Sequence, residues 1–339
     1  VQNKSRKNKI AIIGATGNVG RKIVEILAQR NFLNPIYLRL FSSKRSAGQR
    51  LDIENYSYGI EDVADYDFQD CYLALFATDS DISKMYVPKA LEAGAKVVDS
   101  SSAYRLDPNV PLIVPPVNGD LITMQHNLFS VANCLACPIS VVLKPLNNYA
   151  IIHRVLVSTY QSTSGAGKGA MDELYQQTKS MYTGEPYQSK YFDKPIAFNV
   201  IPQVDKILKD GFSYEEIKIT KEVQKIISAN LKIVSTAVRV PVMIGHSISL
   251  SIEFSKKIDL DDIRMLLSKS PGVQLSLNDY TTPAEVVGKD DVFVGRFRKD
   301  PTVDHGLLLW LTSDNLRRVA ALDAVEISET VTRVMDKQP

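Results

Sequence analysis

The stretch "KIAIIGATGNVGRKIVEILAQR", residues 9–30, decides how the rest of the chain is read. It opens on the apolar run Ile10 to Ile13, breaks at Gly14, Gly17 and Gly20, and carries Val19, Ile23, Ile26 and Leu27 at helical spacing. A strand, a glycine turn and a helix in that order make a βα unit. Glycines in the pattern G-x-x-G-x-x-G let the backbone approach a pyrophosphate at the helix start, where unbonded amides and the helix dipole favour an anion. A lone glycine triplet is often only a tight turn, but between a strand and a helix it predicts dinucleotide binding.

Working outward, "PIYLRLFSS" (35–43), "CYLALFA" (71–77) and "AKVVDSS" (95–101) read as further apolar strands, with a helix from about Asp81 to Glu92. Short, wholly apolar strands alternating with helices predict a parallel sheet covered on both faces, a doubly wound α/β domain. An NAD-preferring site of this kind carries an Asp or Glu about 20 residues on, at the end of the second strand, for the ribose hydroxyls. Here that strand runs into "LFSSKRSAG" (40–48), which offers Ser43, Lys44 and Arg45 and no carboxylate. A 2′-phosphate suits these groups, so the expected cofactor is NADP.

After about Asn147 the texture changes. "IHRVLVSTY" (152–160), "KIVSTAVRVPV" (232–242), "HSISLSIEF" (246–254), "DVFVGRFRKD" (291–300) and "GLLLWLT" (306–312) are longer strands, several alternating apolar with polar. They predict a mostly antiparallel sheet with one wetter face, and so a second domain. The closing "SDNLRRVAALDAVEISETVTRVM" (313–335) offers Ser313 or Asp314 as a cap before a helical apolar pattern, and this helix can return onto the first domain. The expected organisation is a loose tail at 1–8, a dinucleotide-binding domain at 9–132, a second domain at 133–313 and a returning helix at 314–339.

Composition excludes more than it assigns. Forty basic against 38 acidic residues leave a net charge of +2, too weak a field to suggest nucleic acid or an anionic membrane as partner. No run of about 18 apolar residues predicts a membrane-spanning helix. The three cysteines form no even disulfide framework and fit a reducing compartment, so a cytoplasmic location is expected.

Chemistry concentrates in "SVANCLACPISVV" (130–142), where Cys134 and Cys137 stand three apart. A metal pair, a redox Cys-x-x-C and a single nucleophile with a bystander are the available readings. "NLFSVAN" reads as a strand and "CPISVVLKPL" as a helix start, with Pro138 tolerated in the first turn. A thiol there sits in positive potential, which increases its thiolate fraction. A zinc site wants four ligands, and His126, His153, His246 and His305 show no second paired spacing, so no metal is expected. The redox spacing is present, but behind a nucleotide-binding half rather than in a small thioredoxin-like unit.

Further along, "STYQSTSGAGKGA" (158–170) ends a strand on Gln161 and enters a Ser/Gly loop with Gly165, Gly167 and Gly169, which permits close ligand approach. "TAVRVPVMIGHSISL" (236–250) places Arg239 and His246 around a bend at Pro241 and Gly245, both able to point into one cleft. His246 is a candidate base near neutral pH.

Together "GATGNVG", "SKRSAG", "SSAYR", "VANC", "YQSTSGAG", "IPQVD", "GFSYEEIK", "VRVPVMIGH" and "SDNLRRVAALDAVEI", in this order along nearly the whole chain, resemble the aspartate-semialdehyde dehydrogenase family. The resemblance implies a Rossmann-like doubly wound domain, a mixed α+β domain for catalysis and dimerisation, and a homodimer. It implies NADPH-dependent reduction of aspartyl phosphate to aspartate semialdehyde through a cysteine thioester, a step toward threonine, methionine and, in many organisms, lysine or diaminopimelate.

By the same resemblance Cys134 is the nucleophile, His246 the general acid and base, and Gln161 the group that orients the reacting centre. Arg239 holds the substrate α-carboxylate and Glu215 faces the α-ammonium, while Lys218, Arg105 and Asn133 receive phosphate. Gly14, Thr16, Gly17, Asn18, Val19, Ser43, Arg45, Ser164 and Gly165 line the cofactor site, with Asn315 near the nicotinamide amide.

Leu135, Ala136 and Cys137 stand where the family commonly has small hydroxyl residues, Gln203 stands where His is frequent, and "GHSISL" lacks an acidic residue often found after the histidine. These departures remove no proposed catalytic group but raise the question of a Cys134–Cys137 disulfide. The rival readings are an N-acetyl-γ-glutamyl-phosphate reductase, a hydrolytic aldehyde dehydrogenase and a catalytically silent NADP-binding sensor.

Overall fold

The computed structural model describes residues 9–30, 37–187, 189–276 and 279–336. The tail expected at 1–8, the first two residues of the expected second strand and the last three of the closing helix lie outside the described residues. The chain divides into two compact units, one of residues 1–132 with 320–339 and one of residues 133–319.

The first unit contains β1 (Lys9–Ile13), α1 (Asn18–Arg30), β2 (Leu38–Ser42), β3 (Arg50–Ile53), β4 (Tyr56–Asp62), β5 (Cys71–Phe76), α2 (Ser80–Glu92), β6 (Lys96–Asp99), β7 (Leu112–Ile113), α3 (Pro115–Asn118) and β8 (Leu128–Val131). Its sheet runs β3-β4-β2-β1-β5-β6-β8-β7. All neighbours are parallel except the β3–β4 hairpin. Without β3 and β7 the order is that of a doubly wound nucleotide-binding sheet, whose switch point falls between β1 and β5.

Alternate residues of β1 feed two cores. Ile10 and Ile12 pack with Ile23 and Leu27 of α1, and Ala11 and Ile13 with Val87 and Ala90 of α2. Burial on both faces is why these strands read as continuously apolar. The sequence reading missed β3 and β4, in which exposed and buried residues alternate.

The second unit contains α4 (Ala136–Tyr149), β9 (Ile152–Gln161), α5 (Lys168–Thr183), α6 (Tyr214–Ile226), β10 (Lys232–Arg239), β11 (His246–Phe254), α7 (Leu260–Ser268), β12 (Val273–Leu275), α8 (Pro283–Val286), β13 (Val292–Asp300) and β14 (Gly306–Ser313). Its sheet runs β10-β9-β11-β14-β13-β12. The four central strands are antiparallel in turn, whereas each edge strand is parallel to its neighbour. One face is buried at its centre, with Ile248, Leu250 and Ile252 of β11 beside Leu307, Leu309 and Leu311 of β14. On the other, Leu156, Tyr160 and Val234 are exposed.

The closing segment is not one regular α-helix. Asp314 caps it, accepting from the amides of Leu316 and Arg317 at 2.9 Å each. Residues Asn315–Leu322 then wind as a π-helix before α9 (Asp323–Asp336). The unit boundary falls inside the π-helical stretch, after Val319. From there Ala321, Leu322, Ala324, Val325, Ile327 and Val331 join the first unit's core. Among the described residues no helix is long and apolar enough to cross a membrane.

Candidate active site

In the first unit the glycine turn is built to exclude side chains. Gly14 has φ +86°, and a Cβ there would strike the carbonyl of Ala77 just beyond β5; one on Gly20 would strike the carbonyl of Gly14. A hydrogen bond of 2.7 Å between Thr16 Oγ1 and Ser42 Oγ ties this turn to the end of β2. Ser43, Lys44 and Arg45 follow directly and are exposed. Bare backbone at a helix start beside exposed cations fits a phosphorylated dinucleotide. Arg105, in the same unit, donates to the carbonyls of Ser100 at 2.7 Å and Val131 at 2.8 Å and stays partly exposed.

The second unit gathers its polar residues at one end of its sheet. β9 lies between β10 and β11, with Gln161 in register with Arg239 and Tyr160 with Ser247, so Gln161, Arg239 and His246 meet where these strands end. All three side chains are buried. The loop after β9 closes over them: Arg239 Nη1 donates to the Ser162 carbonyl at 2.6 Å, and the Ser162 amide donates to His246 Nδ1 at 3.0 Å. A Cβ on Gly165 would stand 3.1 Å from Arg239 Nη1 and 3.3 Å from His246 Nε2, so glycine leaves open the space both groups face. Gln161 Nε2 donates to Thr159 Oγ1 at 3.2 Å.

Burial and the neighbouring Arg239 charge push the His246 pKa down from 6.5 to about 3, against a weaker pull from the Gly245 backbone. The ring is neutral at pH 7, and its Nε2 is buried with no hydrogen-bond partner. Burial also lowers Arg239, opposed by the charges of Glu215 and Cys134, which puts the thiol within electrostatic reach of the guanidinium.

Cys134 lies in the turn before α4 and is half-buried, whereas Cys137 is buried in its first turn; both are thiols. Asn133 braces the turn that leads into the helix, its Oδ1 accepting from the amides of Leu135 at 2.8 Å and Ala136 at 3.4 Å. Its Nδ2 donates to Glu215 at 3.1 Å. Among the described residues no three His, Cys, Asp or Glu side chains assemble as a metal site.

Glu215 and Lys218, expected at different parts of the substrate, pair with each other at 2.8 Å, and Lys218 also meets Asp205 at 3.0 Å. Burial opposes the Lys218 charge, but the two carboxylates hold its pKa above the ordinary value. Asn315 is buried as a hub, its Oδ1 accepting from Ser162 Oγ, Ser164 Oγ and the Gly245 amide at 2.9–3.2 Å. A cavity of about 850 Å³ opens beside the cluster, lined in part by Ala166, Ile201, Gln203, Asp205 and Arg239.

Two residues were missed from sequence, Ser162 and Glu222. Glu222 Oε2 accepts from the Asn133 amide at 2.6 Å. Its signal was a charged residue on the inward face of α6, among Ile219, Val223 and Ile226.

Residues 9–125 match the family model described as semialdehyde dehydrogenase, NAD binding domain, and residues 143–318 match semialdehyde dehydrogenase, dimerisation domain. The aspartate-semialdehyde dehydrogenase of Rickettsia bellii is 45% identical over 97% of this chain and 99% of its own length. That of Shewanella violacea is 40% identical, with 97% and 99% covered. Among solved structures, aspartate semialdehyde dehydrogenase II from Vibrio cholerae, complexed with ASA, superposes with a TM-score of 0.92 at 36% identity, covering 97% of this chain and 99% of that one. A doubly wound sheet with a bare glycine turn, a thiol before a helix and a buried imidazole beside a guanidinium fit these likenesses, and the chain belongs to the aspartate-semialdehyde dehydrogenase family.

Proposed function

We propose that the chain reduces L-4-aspartyl phosphate to L-aspartate 4-semialdehyde with NADPH, and runs the phosphorylating oxidation in reverse. The observation that carries this reading is the convergence of Arg239 Nη1 and His246 Nε2 on the space in front of Gly165, with Cys134 within electrostatic reach of the same guanidinium.

Each residue has a chemical task. Cys134, as thiolate, forms the acyl–enzyme bond, and a thioester retains the acyl activation that a free carboxylate would lose. His246 manages charge on the substrate oxygen, and Gln161, at the adjacent strand end, orients the reacting group. Arg239 fixes the substrate α-carboxylate, a planar cation against a planar anion. Glu215 faces the α-ammonium; a buried carboxylate there disfavours an N-acylated substrate. Lys218, Asn133 and Arg105 serve the phosphate.

Gly14, Thr16, Gly17, Asn18 and Val19 hold the dinucleotide pyrophosphate, Ser43 and Arg45 its 2′-phosphate, and Ser164, Gly165 and Asn315 its nicotinamide end. When bound, NADP accepts or supplies the hydride.

The exposed Leu156, Tyr160 and Val234 on the second sheet, with Tyr160 against Trp310 at 5.3 Å between ring centroids, suit a homodimer face. Three thiols suit a reducing cytoplasm. The decisive assay follows NADP reduction with aspartate semialdehyde. Reduction should require phosphate or arsenate and be lost in Cys134→Ser; equal reduction without either anion would exclude the reaction.

A further inference from the structure

Asp99 closes β6 at the carboxyl end of the first unit's parallel strands, the end at which such sheets hold their ligands. Its side chain is wholly buried and meets donors only. Oδ1 accepts from Ser83 Oγ of α2 at 2.8 Å and from the Ser101 amide at 3.1 Å, and Oδ2 accepts from Ser101 Oγ at 2.7 Å. Ser83 gives its proton to Asp99, so in its 3.0 Å contact with Thr78 the donor is Thr78. Thr78 in turn lies against the glycine turn: a Cβ on Gly14 would stand 2.9 Å from its Cγ2. One side of the carboxylate is thus anchored to α2 and the glycine turn, and the other grips the turn after β6.

That grip falls on a single peptide group. The Ser101 N–H bound by Asp99 and the Ser100 C=O belong to one planar trans unit and point in opposite directions. The Ser100 carbonyl accepts from Arg105 Nη2 at 2.7 Å, and the carbonyl of Val131, which ends the neighbouring β8, accepts from Arg105 Nε at 2.8 Å. Fixing the N–H therefore aims the carbonyl, and the two carbonyls together set the plane of the guanidinium. Ser101 Oγ also accepts from the Ala103 amide at 3.1 Å, which carries the constraint along the turn toward Arg105.

We infer that Asp99 is a positioning residue for Arg105: it fixes the Ser100–Ser101 peptide whose carbonyl holds the guanidinium, and so keeps Arg105 in the orientation that receives phosphate. The inference rests on the proposed phosphate role of Arg105 and deepens it. Burying a carboxylate costs more than burying a neutral acceptor in the same place. Here burial pushes the Asp99 pKa up, while hydrogen bonds from Ser101 and Ser83 and the charge of Arg105 pull it down, so carboxylate and guanidinium lie within electrostatic reach. The charge acts on Arg105 directly as well as through the turn.

The test measures KM for phosphate, aspartate semialdehyde and NADP in the oxidative direction, in Asp99→Ala, Asp99→Asn, Arg105→Ala and the double variant Asp99→Ala with Arg105→Ala. Asp99→Ala should raise KM for phosphate about tenfold, the scale of coupling within one hydrogen-bond network, and leave the other two within about twofold. Asp99→Asn keeps an acceptor for the Ser101 amide and loses the charge, so its rise should be smaller, about threefold. The double variant should show the phosphate KM of Arg105→Ala alone, because Asp99 acts through that side chain. Additive losses, equal rises in all three constants, or a phosphate KM in Asp99→Ala within about twofold of wild type would each overturn the inference. Should Asp99→Ala not fold, Ser101→Ala, which removes the bond to Oδ2 and the brace on Ala103, takes its place in the same cycle with an expected rise of about threefold. An unchanged phosphate KM in Arg105→Ala would overturn the assigned role of Arg105 and the inference with it. Failure of the reaction itself would appear separately, as NADP reduction that needs no phosphate in the wild type.

Discussion

Glu222 of α6 holds the backbone amide of Asn133 at 2.6 Å, one residue before the candidate nucleophile, and the carboxylate is almost wholly buried. The turn carrying Cys134 is thus pinned by α6 and braced from within by Asn133. Removing the acceptor strands a buried N–H, which costs about 1–3 kcal/mol. Glu222→Ala should lose at least about 1 kcal/mol in urea unfolding, whereas Glu222→Gln, which can still accept, should lose less. Unchanged stability in Glu222→Ala would remove this role.

Arg239 donates to the Ser162 carbonyl and faces the open space at Gly165. Lysine keeps the charge and loses the planar fork. Arg239→Lys should raise KM for aspartate semialdehyde by about 10- to 100-fold, the worth of a charge-assisted hydrogen bond, with a smaller change in kcat. A KM within twofold of wild type would move the substrate carboxylate elsewhere.

Arg45 is exposed after β2, where no carboxylate is available for a ribose hydroxyl. Arg45→Ala should weaken NADP by about tenfold, near 1.4 kcal/mol, and NAD much less. Equal losses in titrations of the two dinucleotides would mean that this loop does not read the 2′-phosphate.

The depressed His246 pKa sets a pH dependence of stability. The folded value of about 3 lies below the ordinary 6.5, so between these pH values the unfolded chain binds the proton more tightly. This contribution is complete above pH 6.5 and is lost as pH falls toward 3, by up to about 1.4 kcal/mol per pH unit. Urea unfolding at pH 7 and pH 5 should show a larger acid loss for the wild type than for His246→Gln. Parallel losses would show that the ring is protonated in the folded state.

Much of this arrangement was legible because local pattern and tertiary demand agree. The run from Lys9 to Arg30 needs both-face burial, a bare turn and an amphipathic helix, and each leaves its mark in residue type. The β3–β4 hairpin was less visible, since its alternation is short and one side faces solvent. The π-helical turn at Asn315 has no local composition signal; it accompanies an Asn315 side chain drawn into the hub with Ser162, Ser164 and Gly245. Ser162 was invisible for a different reason. Its contact with His246 runs through a main-chain amide that every residue except proline possesses, so side-chain chemistry could not single it out.

The central claim is covalent, and the most direct measurement is the mass of the protein itself. Enzyme mixed with aspartate semialdehyde and NADP without phosphate, quenched in acid and digested, should carry an aspartyl thioester on the peptide containing Cys134. The adduct should disappear on adding phosphate before the quench and never form in Cys134→Ser. Turnover with no acyl adduct at Cys134, or with the adduct on Cys137, would contradict the account.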